Sequence, residues 1–159
     1  MSPTAKRCTS GSTGTVIAID TNLLVYAAGA ALPEHAAAAA ALERVRQGRQ
    51  GWGAPFPVLA EFWRVVTGGS AGARPATPAE AAGFLADLVR AGAQIWFAPS
   101  GAERALPELA RAMGVRGARI FDLQIAYIAR ANGAREIWTH DAGFVRLPGL
   151  TCRDPLASA

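Results

Sequence analysis

The sequence predicts an α/β protein with three layers, in which a parallel sheet of four to five strands is covered by helices on both faces. Short apolar runs alternate with helical segments of ten or more residues, which is the order expected of βαβ units. The chain has 159 residues, the length of one ordinary domain, and no repeat or linker divides it. We therefore predict a single domain over 15–156, preceded by a disordered leader over 1–14 that is rich in Ser, Thr and Gly.

The first half of the chain predicts two strands and three helices. The run from Thr15 to Ile19 is apolar and rich in β-branched residues, which is typical of a buried strand. Pro33 and Pro57 are expected at helix starts, where the missing amide hydrogen is not needed, and Gly48 and 68–69 are expected to end the helices. We predict strands over 15–19 and 52–56 and helices over 21–28, 33–47 and 58–67.

The second half predicts three further helices and two or three strands. Thr77 and Glu80 have the spacing of a capping box, with Pro78 at the first helical position, and Ser100 and Glu103 repeat that spacing. We predict helices over 78–90, from 103 to about 114, and over 121–131 with Asn132 and Gly133 at its end. We predict strands over 94–97 and 136–139, and a further one over 150–152.

Composition excludes several classes of protein. No run approaches the roughly 18 apolar residues that a membrane-spanning helix needs, and the start of the chain lacks the apolar core of a secretory signal. Cys8 and Cys152 lie near opposite ends without metal-binding spacing, so we expect a cytoplasmic protein without disulfides or a zinc site. The formal net charge of +4 is compatible with a polyanionic partner.

Four acidic residues are the candidate site. Asp20 and Asp141 each directly follow a predicted strand, at the sheet edge where parallel α/β proteins bind their ligands. Glu61 borders the apolar face of its helix, and Asp122 lies in the first turn of another helix. Three of them have a purely structural alternative. Asp20 could cap a helix, Asp122 could favour a helix dipole, and Glu61 could pair with a neighbouring arginine, Arg64 or Arg44.

Taken together, four converging carboxylates would repel one another unless cations lay between them. Oxygen ligands without Cys or paired His select Mg²⁺ or Mn²⁺, and pairs of such ions hydrolyse phosphodiesters. The sequence contains no P-loop, GxGxxG motif or nucleophile elbow that would indicate another chemistry.

Three segments resemble the successive motifs of PIN-domain ribonucleases, and more narrowly those of VapC-type toxins of bacterial toxin–antitoxin pairs. They are VIAIDTNLLVYA, PFPVLAEFWRVVT and IFDLQIAYIARANGAREIWTHDAGFVRLPGL, and PEHAAAAAALE resembles the segment after the first helix of that family. The resemblance extends from Thr15 to about Leu156. It implies a metal-dependent endoribonuclease with Asp20, Glu61, Asp122 and Asp141 as catalytic metal ligands.

The resemblance also implies that Asn22 and Thr139 orient the carboxylates or a bound water. It implies an antitoxin partner that places a helix and a basic residue in the acidic cleft, and a homodimer, for which the small and apolar residues over 23–41 offer a surface. The sequence departs from the family at Gly143, where many relatives carry another Asp. The arginines expected to engage RNA phosphates are Arg64, Arg116, Arg119 and Arg146, of which Arg116 and Arg119 are placed in a loop before Asp122.

Two other functions share the predicted fold. A haloacid dehalogenase-type phosphatase needs a second acid two residues after the first, where this chain has Asn22. A non-catalytic receiver-like module needs a lysine near its last strands, yet Lys6 is the only lysine. The metal-dependent endoribonuclease therefore remains the favoured interpretation.

Overall fold

The computed structural model describes residues 14–69 and 74–157 and contains the predicted alternation of strands and helices. The elements are β1 (Val16–Ile19), α1 (Thr21–Ala28), α2 (His35–Gln47), β2 (Trp52–Pro55), α3 (Phe56–Thr67), α4 (Pro78–Arg90), β3 (Gln94–Trp96), α5 (Ala102–Met113), α6 (Arg119–Ala131), β4 (Ala134–Trp138) and β5 (Thr151–Arg153). The leader predicted over 1–14 lies, but for Gly14, outside the described residues. No helix in the described part of the chain is long and apolar enough to cross a bilayer.

Five described strands form one parallel sheet in the order β3-β2-β1-β4-β5. β1 lies at the centre and pairs with β2 on one side and β4 on the other, with Ile19 opposite Trp138. The strand order therefore reverses beside β1, and the carboxyl ends of β1 and β4 lie together at that point. The predicted α/β fold with a parallel sheet is confirmed.

Among the described helices, α1 and α4 begin with a side-chain cap. In the first half of the chain, two helices begin at other residues than predicted, α2 at His35 instead of 33 and α3 at Phe56 instead of 58. The Thr77 box is complete, because Thr77 Oγ1 accepts from the Glu80 amide and Glu80 accepts from the Thr77 amide. The second predicted box is wrong: Gly101, in a left-handed conformation, precedes α5, so Ser100 lies one residue too early to cap it. The loop predicted before Asp122 is also wrong at its end, because α6 begins at Arg119.

Part of the apolar surface of α1 and α2 is used in the protein's own core. Leu23 and Leu24 are fully buried, as are Ala38 and Ala41, whose small side chains allow close packing between the two helices. The alanines that remain exposed over 28–40 leave part of the surface that the sequence offered for a homodimer; they are Ala28, Ala30, Ala31, Ala36, Ala37 and Ala40. Trp52, Phe62, Trp96 and Trp138 are buried in the core, as their positions on strands and apolar faces predicted.

Gly53 in β2 allows strand β3 to approach closely. A Cβ atom at this position would lie 2.2 Å from the backbone oxygen of Gln94, its partner residue in β3. Gly83, in the interior of α4, is exposed and a Cβ there would meet nothing within 4 Å. A methyl group at Gly53 would therefore clash with the backbone of β3, whereas one at Gly83 would contact nothing.

We expect Gly53→Ala to lower the free energy of unfolding by about 1–3 kcal/mol, because the strands must separate to admit the methyl group. Gly83→Ala should raise it by about 0.5–1 kcal/mol, since alanine loses less backbone entropy in a helix. Thermal unfolding should show melting temperatures that move in opposite directions by a few degrees, roughly 2–4 °C per kcal/mol. Equal stability of the two variants would contradict this packing of β2 against β3.

Candidate active site

Asp20 joins the end of β1 to the start of α1 and is buried, with 5% of its surface exposed. Its Oδ1 accepts from the Thr21 amide at 2.7 Å, so it does cap the helix. Its Oδ2 accepts from Asn22 Nδ2 at 2.9 Å and from Thr139 Oγ1 at 2.6 Å. Asp20 therefore caps α1, as the structural alternative predicted, and also lines the candidate site.

Thr139 and Asn22 connect the ends of β1 and β4. The Thr139 hydroxyl donates to Asp20 and accepts from Asn22 Nδ2 at 3.0 Å and from the Asp141 amide at 3.1 Å. Asn22 Oδ1 in turn accepts from the His140 amide at 3.1 Å. These contacts hold the segment after β4 against the start of α1, and they fix the direction of the Asp20 carboxylate.

Glu61 is directed at α1 rather than at an arginine. Its Oε2 accepts from Thr21 Oγ1 at 2.7 Å. Within the described residues it forms no ion pair with Arg64 or Arg44; Arg44 instead donates to the Pro155 carbonyl and lies against the ring of Trp138. The explanation of Glu61 as a rim residue paired with an arginine is therefore wrong.

All four predicted acids line one small cleft of about 300 Å³. Asp20 and Glu61 enter it from β1 and α3, Asp122 from the first turn of α6, and Asp141 from the loop after β4. The other lining residues are Thr21, Asn22, Val25, Tyr26 and Val65. In the described part of the chain no three His, Cys, Asp or Glu side chains lie close enough together in this arrangement to hold a metal ion.

The acids raise one another's affinity for protons. Burial raises the pKa of Asp20 to about 6, against the hydrogen bonds from Thr139 and Thr21, and the charges of Glu61 and Asp122 add to the rise. The pKa of Asp122 is raised by partial burial and by Asp141 and Glu61, while Arg119 opposes the shift. The cleft therefore concentrates negative charge that the protein only partly neutralises.

Two of the four predicted RNA-binding arginines lie beside the acids. Arg64 and Arg119 line a larger groove of about 860 Å³ together with three of the acids, Glu61, Asp122 and Asp141. Arg116 is exposed in the turn before α6 and does not line this groove. Arg146 lines a separate cavity with Arg135 and Thr151, which begin β4 and β5 and so belong to the opposite edge of the sheet. The structure does not bring Arg146 to the acids.

The loop after Asp141 closes on its own carboxylate. The Gly143 amide donates to Asp141 Oδ1 at 2.7 Å, and a Cβ at Gly143 would lie 3.2 Å from the same oxygen. Gly143, where the family resemblance led us to expect a further Asp, thus contacts the Asp141 carboxylate through its backbone amide and adds no carboxylate of its own.

The site also contains residues that sequence reasoning missed. Tyr26 lines the cleft, and its ring meets that of His140 edge to face at 5.9 Å. Its position four residues after Asn22 puts it on the same face of α1, which was a usable signal. Phe121 lines the groove, and its place directly before Asp122 carried no signal of exposure. His140 hydrogen-bonds to Asp154 at 2.9 Å.

Comparison with known proteins identifies the family of the chain. A family model described as PIN domain matches residues 17–150. The chain is 35% identical over 144 residues to Ribonuclease VapC43 of Mycobacterium tuberculosis, a match that covers 89% of this chain and 96% of the relative, and a VapC ribonuclease of Mycobacterium bovis gives the same values.

Two solved structures share the fold. The first is VapC20 of Mycobacterium tuberculosis, described as a sarcin-ricin loop cleaving toxin, with a TM-score of 0.62 at 16% identity over 80% of this chain and 92% of that one. The second is VapBC2 of Rickettsia felis bound to a DNA fragment from their promoter, with a TM-score of 0.61 at 22% identity over 87% and 98%. The chain belongs to the PIN domain family and, within it, to the VapC ribonucleases.

Proposed function

We propose that this protein is a metal-dependent endoribonuclease, the toxin of a type II toxin–antitoxin pair, which hydrolyses RNA phosphodiester bonds with water. The observation that carries the proposal is the cleft lined by Asp20, Glu61, Asp122 and Asp141 at the sheet edge beside β1. Both relatives are named as VapC ribonucleases, and this chain matches them over nearly their full length. Their names therefore support the same activity.

The donor set of the cleft fits Mg²⁺ or Mn²⁺. Four carboxylates supply hard oxygen ligands, and no Cys or His lines the cleft. The raised pKa values of Asp20 and Asp122 reflect burial and mutual repulsion, which a divalent cation would relieve. Asp20, Glu61, Asp122 and Asp141 would hold the metal, which when bound lowers the pKa of water and stabilises charge on the reacting phosphate.

The chain's own side chains then position the substrate and the acids. Thr139 and Asn22 hold the Asp20 carboxylate in one orientation, and the Thr21 hydroxyl does so for Glu61. Arg64 and Arg119 line the groove next to three of the acids, where they can bind RNA phosphates. The proposed substrate is an RNA loop, because its unpaired nucleotides can reach a shallow site.

An antitoxin is the proposed protein partner. Val25 and Val65 line both the acidic cleft and an apolar cavity of about 360 Å³ bordered by α1, α3 and α4. An amphipathic helix with a basic residue beside its apolar face would bury the apolar cavity and neutralise the acidic cleft. The Rickettsia felis neighbour was solved as VapBC2. A homodimer remains a prediction that now depends on the family resemblance.

Asp122→Asn should abolish cleavage of total RNA in Mg²⁺ or Mn²⁺, because it removes a charged ligand while its shape is kept. Without metal its melting temperature should equal or exceed that of the wild type, since one repelling charge is gone and no described residue donates a hydrogen bond to this carboxylate. Added metal should stabilise the wild type more than the variant. Cleavage gels and thermal unfolding measure the two effects.

The matched control is Asp87→Asn, the same change on the exposed face of α4, where the carboxylate pairs with Arg90. It should cleave RNA and respond to metal as the wild type does. Wild-type cleavage by the Asp122 variant, or equal metal stabilisation of all three proteins, would exclude the proposed role of the acids. Asp20→Asn is a poorer test, because the NH₂ group of the new side chain would face the hydrogen-bond donors of Asn22 and Thr139 and could not accept from them.

Acidification should stabilise the metal-free protein. The pKa of Asp20 is about 6 in the fold against 3.8 when unperturbed, so the folded state binds the proton more tightly. The resulting stabilisation is complete below about pH 3.8 and is lost as the pH rises through about 6. Between pH 7.5 and 5 we expect the free energy of unfolding to rise by about 1 kcal/mol from this residue.

Urea unfolding of the metal-free protein at the two pH values measures the change. Asp20→Asn serves as the comparison, because its slope with pH should be smaller whatever its absolute stability. Parallel slopes in the two proteins would show that Asp20 does not titrate in this range.

Expression of this chain alone should arrest bacterial growth, and co-expression of the gene beside its own should restore it, because the proposed partner covers the acidic cleft. The complex should be recovered by affinity purification, and light scattering gives the mass of the toxin alone and in the pair. Normal growth with soluble, folded protein would contradict the toxin assignment, and a monomeric mass at tens of micromolar would exclude the homodimer.

A further inference from the structure

A phenylalanine ring is exposed in the groove next to the candidate site. Phe121 lies in the first turn of α6, directly before Asp122, and 60% of its surface is exposed. The following residues of the same helix, Leu123 and Ile125, are buried in the core. Leaving a large ring in water forgoes the stabilisation that its burial would give, so packing does not account for Phe121.

The other exposed phenylalanines differ from Phe121 in their surroundings. Phe56 and Phe97 are 50% and 61% exposed, yet they stack on each other with ring centroids 5.0 Å apart. In the part of the chain that the structure describes, Phe121 has no such ring partner. A face of the Phe121 ring is therefore open to a planar group that enters the groove.

The charges around Phe121 select the kind of group. Arg64 and Arg119 line the same groove, and neither guanidinium forms a hydrogen bond or ion pair with another described side chain. Asp122 and Asp141 line the same groove, and the charge of Arg119 acts on Asp122 without a direct ion pair. An aromatic face in a groove that also holds two guanidinium groups matches a nucleotide, whose base stacks while its phosphates pair with arginine.

The exposed ring also discriminates between forms of RNA. In a duplex both faces of each base are covered by its neighbours, so a protein ring can stack only on a base that is unpaired or splayed out. We infer that Phe121 is the stacking platform of a nucleobase subsite, which holds an unpaired base of the RNA in the groove beside the acidic cleft. This inference depends on the proposed ribonuclease function and specifies the class of substrate.

The test compares RNA binding by Phe121→Leu, Phe121→Trp and the matched control Phe97→Leu, all in the Asp122→Asn background so that no cleavage occurs. The probes are a random-sequence single-stranded RNA pool of 12 nucleotides and a perfect duplex of equal length, both labelled with a fluorophore. Phe121→Leu should weaken single-strand binding tenfold or more, because base–aromatic stacking is lost. Tryptophan should restore binding, and Phe97→Leu should leave it unchanged.

Duplex binding should be equal in all variants, since it depends on arginine and phosphate alone. Unchanged single-strand binding by Phe121→Leu, or equal losses on both probes, would overturn the inference. If Phe121→Leu changed the mass of the protein in solution and left RNA binding unchanged, the ring would belong to a protein interface. That result would overturn the inference as well. Cleavage of total RNA is measured separately, with Phe121→Leu in an otherwise wild-type chain. Cleavage tests the ribonuclease proposal and binding tests the subsite, so the failure of one is distinguished from the failure of the other.

Discussion

The site depends on the hydrogen bond from the Thr139 hydroxyl to the buried Asp20 carboxylate. The two residues are 119 positions apart in the chain and come together only because β1 and β4 pair in parallel with Ile19 opposite Trp138. The same hydroxyl accepts from Asn22 and from the Asp141 amide, so one side chain fixes acids from two strands. A shift of one residue in the register would direct Thr139 to the other face of the sheet and dismantle the arrangement.

The fold gathers charges that repel one another, and its hydrogen bonds only partly compensate them. Asp20 is almost completely removed from water, and the pKa of its carboxyl is well above the ordinary value despite three hydrogen bonds. Elsewhere acidic residues are stabilised by exposed partners, as in the pairs Glu80–Arg74 and Glu108–Arg111. Perturbed carboxyl groups concentrated in one cleft, among otherwise well-compensated acids, are typical of a functional site.

Sequence periodicity predicted the alternating strands and helices because each element has one strong local cause. The Thr77 box was predicted correctly since its two hydrogen bonds lie within four residues, whereas the Ser100 box failed because the neighbouring glycine adopted a left-handed conformation that the spacing does not encode. Asp20 and Asp141 could be grouped at one sheet edge from their positions after strands. Glu61 and Asp122, which lie on helices, could be grouped with them from their helix positions and the family motifs. The partner of Glu61 could not, because the contact with Thr21 spans 40 residues and depends on how α3 packs against α1. Arg146 was misplaced with the acids because no local pattern tells which sheet edge a loop residue reaches.

The hydrogen bonds of Asp20 limit what that residue can still offer. A carboxylate has about four lone-pair positions, two on each oxygen. On Oδ2 both are occupied, by Asn22 and Thr139, and on Oδ1 one is occupied by the Thr21 amide. One lone pair therefore remains, on Oδ1, so Asp20 can coordinate a cation through a single oxygen without giving up its helix cap or its links to β4. Coordination through both oxygens would compete with the contacts that join β1 to β4, so a cation bound as we propose would contact Asp20 through Oδ1 alone.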